Sequence, residues 1–193
     1  IGAGTMGSGI AITAALAGVE VCQVDVSQGQ LDNAKAYHEK TVGRNVKKDR
    51  MTQSAADATL ARICYCPESC RAAESSFAIE AATENEPLKK KIFASMVETY
   101  PSNCILATNT SSISITSIAK SADIASDRII GMHFFNPVPV MKLVEVIKCP
   151  ATSQDTLNRT MALGEMMGKT PITANDHPGF VSNRVLMPMI NEA

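Results

Sequence analysis

The chain opens on Ile1-Gly-Ala-Gly-Thr-Met-Gly7, a GxGxxG turn that runs directly into the apolar segment Ile10 to Leu16. In such a turn Gly2 allows a tight bend, Gly4 lets backbone approach a pyrophosphate, and Gly7 lets the new helix pack closely on a sheet. Free N–H groups at the helix N-terminus then face the phosphates, so Gly2, Ala3, Gly4, Thr5, Met6 and Gly7 are the expected cradle.

Glycine-rich turns are common, and the context has to carry the reading. Ser8 to Ala17 reads as a helix with Gly18 as its stop, and Val19, Val21 and Val24 make a short strand ending on Asp25. Asp25 follows Gly7 by 18 residues. A dinucleotide fold places an acid roughly 20 residues past the glycines, on the adenosine ribose. That carboxylate would repel a 2′-phosphate, and none of Val26, Ser27 and Gln28 is basic, so the expected cofactor is NAD rather than NADP.

The 193 residues, 45% of them hydrophobic, suffice for one domain or one domain plus part of another. A net charge of −1 argues against binding nucleic acid by bulk electrostatics. No apolar run approaches the roughly 18 residues of a membrane span, and no secretory leader is visible. A soluble intracellular protein is expected: cytoplasmic, or in the mitochondrial matrix or peroxisome of a eukaryote.

Six cysteines are scattered along the chain without CxxC spacing. Strand alternation puts Cys64 and Cys66 on one face, but Cys70 lies beyond Pro67, outside that strand, and no matching second ligand pair is present. Structural or incidental thiols are expected, and no metal.

Strand and helix patterns alternate along the chain, which predicts a doubly wound α/β domain with a parallel sheet. Strands are expected at Ile63 to Cys66, Phe77 to Ala82, Ile105 to Ala107, Arg128 to Phe135, Met141 to Ile147 and Pro171 to Ala174. Helices are expected at Leu31 to Lys48, interrupted by Gly43, and at Thr52 to Leu60, Leu88 to Tyr100, Ile113 to Lys120, Ser153 to Gly168 and Phe180 to Ala193. Polar runs stand at two strand ends, Thr83 to Glu86 and Thr108 to Ser112, where parallel folds bind ligands. Such a fold needs a buried strand of about five or six residues before its glycine turn. Only Ile1 precedes this one, so the chain is expected to be truncated there and unstable by itself.

Of the three histidines, His38 falls on a polar helix, His177 in a loop, and His133 at a strand end. A lone histidine is more often structural than catalytic. His133 is the best placed, because Glu145 follows 12 residues later on what reads as a neighbouring strand and could orient the ring.

Gly131 to Ile147, Gly-Met-His-Phe-Phe-Asn-Pro-Val-Pro-Val-Met-Lys-Leu-Val-Glu-Val-Ile, closely resembles the signature of the (S)-3-hydroxyacyl-CoA dehydrogenases, including the 3-hydroxybutyryl-CoA enzymes. The likeness extends through the glycine turn, Ile79 to Asn85, Ala107 to Ser112 and Pro178 to Arg184, and covers essentially the whole chain. The resemblance implies oxidation of the 3-hydroxyl of an acyl-CoA, or its reverse, with hydride passing to or from NAD in fatty-acid metabolism. It makes His133 the acid/base and Glu145 its paired carboxylate, with Ser111 and Asn183 completing the catalytic set and Asn136 shaping the pocket. Glu84 and Lys89 match positions that approach NAD, and Thr41 and Lys48 match positions that contact coenzyme A. Between Ser111 and His133 this chain runs one residue longer than the family pattern, so Ser112 stays open for the serine's role.

The family carries an all-helical C-terminal domain that forms a homodimer interface. The resemblance therefore divides the chain into an NAD-binding domain, residues 1–178, and the opening helix of a truncated second domain, residues 179–193. The chain resembles either a single enzyme or one module of a multifunctional oxidation protein. Two alternatives stand beside it: an NADP-dependent 3-hydroxybutyryl-CoA enzyme, which Asp25 disfavours, and a non-catalytic nucleotide-binding relative, which the intact His133, Glu145, Ser111 and Asn183 disfavour.

Overall fold

Short apolar runs separated by capped helices build a seven-stranded architecture in the computed structural model, which describes residues 1–193 apart from the side chains of residues 123 and 124. In chain order the elements are α1 (Thr5–Leu16), β1 (Val21–Val24), α2 (Gln28–Lys47), α3 (Gln53–Ala61), β2 (Ile63–Cys66), β3 (Phe77–Glu80) and α4 (Glu86–Thr99). They continue with β4 (Ile105–Thr108), α5 (Ile115–Ser121), β5 (Ile129–Phe134), β6 (Leu143–Lys148), α6 (Gln154–Met166), β7 (Thr170–Asn175) and α7 (Ser182–Glu192). Side-chain oxygens of Ser27, Thr52, Asn85, Ser114 and Ser153 accept N–H bonds at the starts of α2 to α6, which fixes where those helices begin. α2 runs through Gly43 without the expected interruption; a glycine weakens a helix by only about 1 kcal/mol, and Leu31, Ala34 and Val42 anchor its inner face.

The strands form two sheets, β1-β2 and β3-β4-β5-β6-β7. Ile1 and Gly2 stand between them: Ile1 donates to the Ile79 carbonyl and accepts from Ala81 N, while Gly2 N donates to the Val24 carbonyl, each at 2.8 Å. β4 and β5 are buried along their whole length. One face packs on Phe93, Met96, Ile115 and Ile118, and the other, through Ile105, Ile130, Met132 and Phe134, on Ile10 and Leu157.

The sheet is parallel except at β5–β6, which pair antiparallel, a departure from the expected all-parallel order. The cause is the connection. Phe135 to Lys142 contains Asn136-Pro-Val-Pro and no helix, and a parallel pairing needs a crossover of a dozen or more residues. At the far end, α7 buries none of its residues and exposes Val185, Leu186, Met187, Met189 and Ile190. No helix is long and apolar enough to cross a membrane.

Candidate active site

The antiparallel turn sets His133 directly opposite Glu145, and opposed residues in such a pair project on one face. His133 Nδ1 lies 2.8 Å from Glu145 Oε2. A carboxylate accepts, so Nδ1 donates and Nε2 is the basic nitrogen. Nε2 has no hydrogen-bond partner among the described residues. Both side chains are buried, His133 at 5% exposure and Glu145 at 0%, and the rings of Phe135 and Phe180 flank the imidazole at 4.7 and 5.8 Å between centroids.

Glu145 is held from its other side. Oε1 accepts from Val181 N at 3.1 Å, Ser182 N at 2.8 Å and Ser182 Oγ at 3.1 Å. Gly179 and Phe180 both have left-handed φ angles, +75° and +51°, and this turn aims the two N–H groups at the carboxylate. Burial alone would raise the Glu145 carboxyl, but the bonds from His133, Ser182 and Val181 outweigh it and hold it below its ordinary value.

A second set of bonds joins the polar strand ends. Glu84 Oε1 accepts from Ser111 N at 2.9 Å, Ser112 N at 3.2 Å and Ser112 Oγ at 3.1 Å, and from the Thr110 hydroxyl. Burial works against the Glu84 charge, yet these donors and Lys89 hold its carboxyl below its ordinary value. Ser112 Oγ is therefore engaged, whereas Ser111 Oγ has no partner among the described residues. Asn109 Oδ1 accepts from Phe134 N at 2.9 Å, tying this loop to the strand that carries His133. Asn183 Nδ2 donates to the Ser111 carbonyl at 3.4 Å. The expected residues thus fall into two bonded pairs, His133–Glu145 and Ser111–Asn183, with Val181 and Ser182, which bond to Glu145, next to Asn183 in the chain.

The glycine turn passes a test of fit for a dinucleotide. A Cβ on Gly2, whose φ is +96°, would lie 2.7 Å from the Ala81 carbonyl oxygen, and one on Gly7 would lie 1.9 Å from that of Gly2, so neither position admits a side chain. Gly4 caps α1 without a side-chain bond, and Gly4 and Thr5 are exposed, leaving first-turn N–H groups open to an anion. Asp25 Oδ2 accepts from Ala3 N at 2.8 Å and Oδ1 from Ser27 N at 2.9 Å, which joins the acid to the turn.

Other expected residues sit differently. Lys89 is 1% exposed and turns inward, 2.6 Å from Glu80 Oε1 and 3.5 Å from Glu84 Oε2, so it positions Glu84 and offers no free ammonium. Thr41 donates to the Tyr37 carbonyl at 2.8 Å and Lys48 is exposed at the end of α2. No hydrogen bond among the described residues joins either to His133. Asn136 is exposed in the β5–β6 turn. His38, fully buried, is satisfied by Tyr65 Oη and the Ser8 carbonyl, a structural histidine. Ser182 and Asn109 were not singled out by sequence; Ser182 stands inside Pro178 to Arg184 and Asn109 inside a polar strand end, and only the fold shows what each one holds.

The cysteine expectation changes most. Cys70 folds back onto Cys66, to which it is disulfide-bonded, and Cys22 and Cys64 lie beside them. Burial first, then the Cys64 thiol, push the Cys22 thiol up to about 11.

The family described as 3-hydroxyacyl-CoA dehydrogenase, NAD binding domain, matches residues 1–177. The chain belongs to that family. It is 47% identical over 192 residues to a probable 3-hydroxybutyryl-CoA dehydrogenase of Bacillus subtilis, covering 100% of this chain and 67% of that protein. The crystal structure of (S)-3-hydroxybutyryl-CoA dehydrogenase from Ralstonia eutropha superposes with a TM-score of 0.96 at 46% identity, covering 99% of this chain and 67% of that one. That of 3-hydroxybutyryl-CoA dehydrogenase from Escherichia coli K12 gives 0.95 at 39% identity, covering 99% of this chain and 40% of that one. The NAD-binding assignment of the glycine turn and the Rossmann-type architecture agree with the family match.

Proposed function

We propose that the protein carrying this chain is an oxidoreductase that interconverts (S)-3-hydroxyacyl-CoA and 3-ketoacyl-CoA with NAD, in fatty-acid metabolism. The observation that carries the proposal is the buried His133–Glu145 pair with Nε2 left free. When bound, NAD supplies the hydride acceptor of the oxidation. His133 Nε2 takes the proton of the 3-hydroxyl, and the Glu145 carboxylate compensates the positive charge the ring acquires. The Ser111 hydroxyl, free of internal partners, fixes the substrate oxygen, and Asn183 holds the Ser111 backbone in place. Phe135 and Phe180 shield the ring from water.

The exposed basic end of α2, Lys47 and Lys48, suits the phosphates of coenzyme A, with Thr41 one to two turns earlier on the helix. The bare apolar face of α7 suits burial against further helices and a second copy of the protein, with residues 1–178 as the nucleotide-binding domain and 179–193 as the opening of the next.

Oxidation of NADH by acetoacetyl-CoA, followed at its near-ultraviolet absorbance with the full-length protein and run in parallel with NADPH, tests the reading. Turnover with NADH and little with NADPH supports both the reaction and the role of Asp25. Tight NADH binding without turnover on short or long acyl chains would replace it with a nucleotide-binding role.

A further inference from the structure

Cys22 on β1 and Cys64 on β2 are register partners in the parallel pair, and Cys66 follows two residues along on the same face. The 67–75 loop brings Cys70 back over them. All four Sγ atoms lie within 4.8 Å of one another, Cys22 and Cys70 at 3.5 Å. The other two cysteines, Cys104 and Cys149, are buried and stand outside this group. The four that converge are half-buried or exposed, open to an ion from solvent.

We propose that Cys22, Cys64, Cys66 and Cys70, when reduced, form a closed four-thiolate site for Zn²⁺. A Zn–S bond of about 2.3 Å in tetrahedral geometry places the sulfurs roughly 3.8 Å apart, within the 4.8 Å over which the four sulfurs already gather. Sulfur-only ligands select a borderline or soft cation over Mg²⁺ or Ca²⁺, and a site whose four positions are all protein is structural rather than catalytic. A disulfide alone explains less. It needs two cysteines, closes a loop with a sequence separation of only 4 residues, and leaves Cys22 and Cys64 without a role.

Position gives the site its purpose. Cys22 and Cys64 stand on β1 and β2, and Cys70 on the loop that leads into β3, so a metal there would tie the strand pair to that loop. The Cys66–Cys70 bond is the oxidised form of the same cluster. A phosphine such as tris(2-carboxyethyl)phosphine reduces it: the phosphine becomes its oxide with oxygen from water, and the disulfide gains two electrons and two protons to give two thiols. Zn²⁺ then binds as the thiol protons pass to solvent.

The test uses the full-length protein, reduced with that phosphine under anaerobic conditions, with ZnCl₂ and CoCl₂ as probes. The expected result is about one zinc per chain by mass spectrometry of the metal, and with Co²⁺ an intense sulfur-to-metal charge-transfer band saturating at about one equivalent. Cys64→Ser and Cys70→Ser should each abolish the band, while Cys149→Ala keeps it. Zinc should raise the melting temperature of the wild type and leave that of Cys70→Ser unchanged. Should Cys64→Ser fail to fold by circular dichroism, Cys70→Ser, on an exposed loop, decides alone. Two results would overturn the proposal: no thiolate–cobalt band although titration shows every thiol reduced, or a band that survives Cys70→Ser.

Discussion

The two sides of Ile1 differ in how they are held. On the β3–β7 side, five strands are paired in register and every carboxylate near the site has its donors. On the other side, the four-residue strands β1 and β2 pair with each other, and within these 193 residues the backbone of Ile1 and Gly2 bonds to both sheets. The proposed acid/base pair thus stands on the more fully paired, more rigid side, and Asp25, the acid proposed to meet the ribose, on the looser one. Rigid placement suits groups that must stay within hydrogen-bond geometry of a reacting atom. A nucleotide cradle made of backbone N–H groups tolerates more movement, because an anion attracts it from several directions.

The largest expected effect comes from separating chemistry from fold on the rigid side. His133→Gln in the full-length protein should lower kcat by about 10²–10⁴-fold, the usual worth of a positioned acid/base, while KM for NADH and the melting temperature stay close to wild type. An equal fall for a variant on the looser side, such as Asp25→Ala, with KM for NADH unchanged, would erase the division of labour.

Next comes the buried charge pair on the β3–β7 side. Glu80, at the end of β3, is fully buried and accepts from Lys89 Nζ, Thr108 Oγ1 and Ala82 N, each at 2.6 Å. Lys89→Met leaves that carboxylate without its counter-charge and should destabilise the protein by roughly 3–5 kcal/mol in denaturant unfolding, with much of the loss recovered in the Glu80→Gln/Lys89→Met double variant. Additive losses would show that the two residues act independently.

Most of this was legible in the residues because it rests on local rules. The glycine spacing, Asp25 at its distance and the alternation of strand and helix each follow from a short window. His133 and Glu145 were legible as a pair, but not the reason they meet: that depends on β6 turning back antiparallel after Asn136-Pro-Val-Pro, where apolar periodicity carries no direction. Ser182, Asn109 and Cys22 were passed over for the same cause. Each acts on a residue distant in sequence, Ser182 on Glu145, Asn109 on Phe134 and Cys22 on Cys70. A serine or a lone cysteine has no pattern of its own to announce such a partner. The inward turn of Lys89 to a buried glutamate has no local signal either, since a lysine in a helical window gives no sign of a partner nine residues back at a strand end.

Amide exchange places the two sides on one scale. In the full-length protein, β1 and β2 amides should open with a free energy about 2–3 kcal/mol below that of β4 and β5, the difference of one or two well-buried aliphatic side chains. Zn²⁺ added to the reduced protein should narrow that gap. Equal protection throughout would mean that the two sheets open as one cooperative unit.

The smallest effect is the acid limb of stability, and its sign discriminates between the sides. Glu145, Glu84 and Asp176 all have their carboxyls held below the ordinary value: burial opposes the charge in each, and the donors prevail, for Asp176 those of Thr116, Ser114 and Ile115 at the start of α5. A lowered pKa in the folded state contributes stability that is fully present above the unfolded value, about 4 for these groups, and is lost as pH falls through the folded value. Stability should therefore be level from pH 7 down to about 5 with respect to these three groups and fall below that, most steeply for the β3–β7 side, where all three bonds lie. Glu84 is 41% exposed, so solvent screening leaves it a small share. Glu145, fully buried, should dominate. Glu145→Gln, which keeps an acceptor for Ser182 and Val181, should start from a lower stability at pH 7 and show a shallower acid limb in thermal melts. A limb as steep as that of wild type would move the effect to other carboxylates and remove the link between the catalytic pair and the rigidity of its half of the sheet.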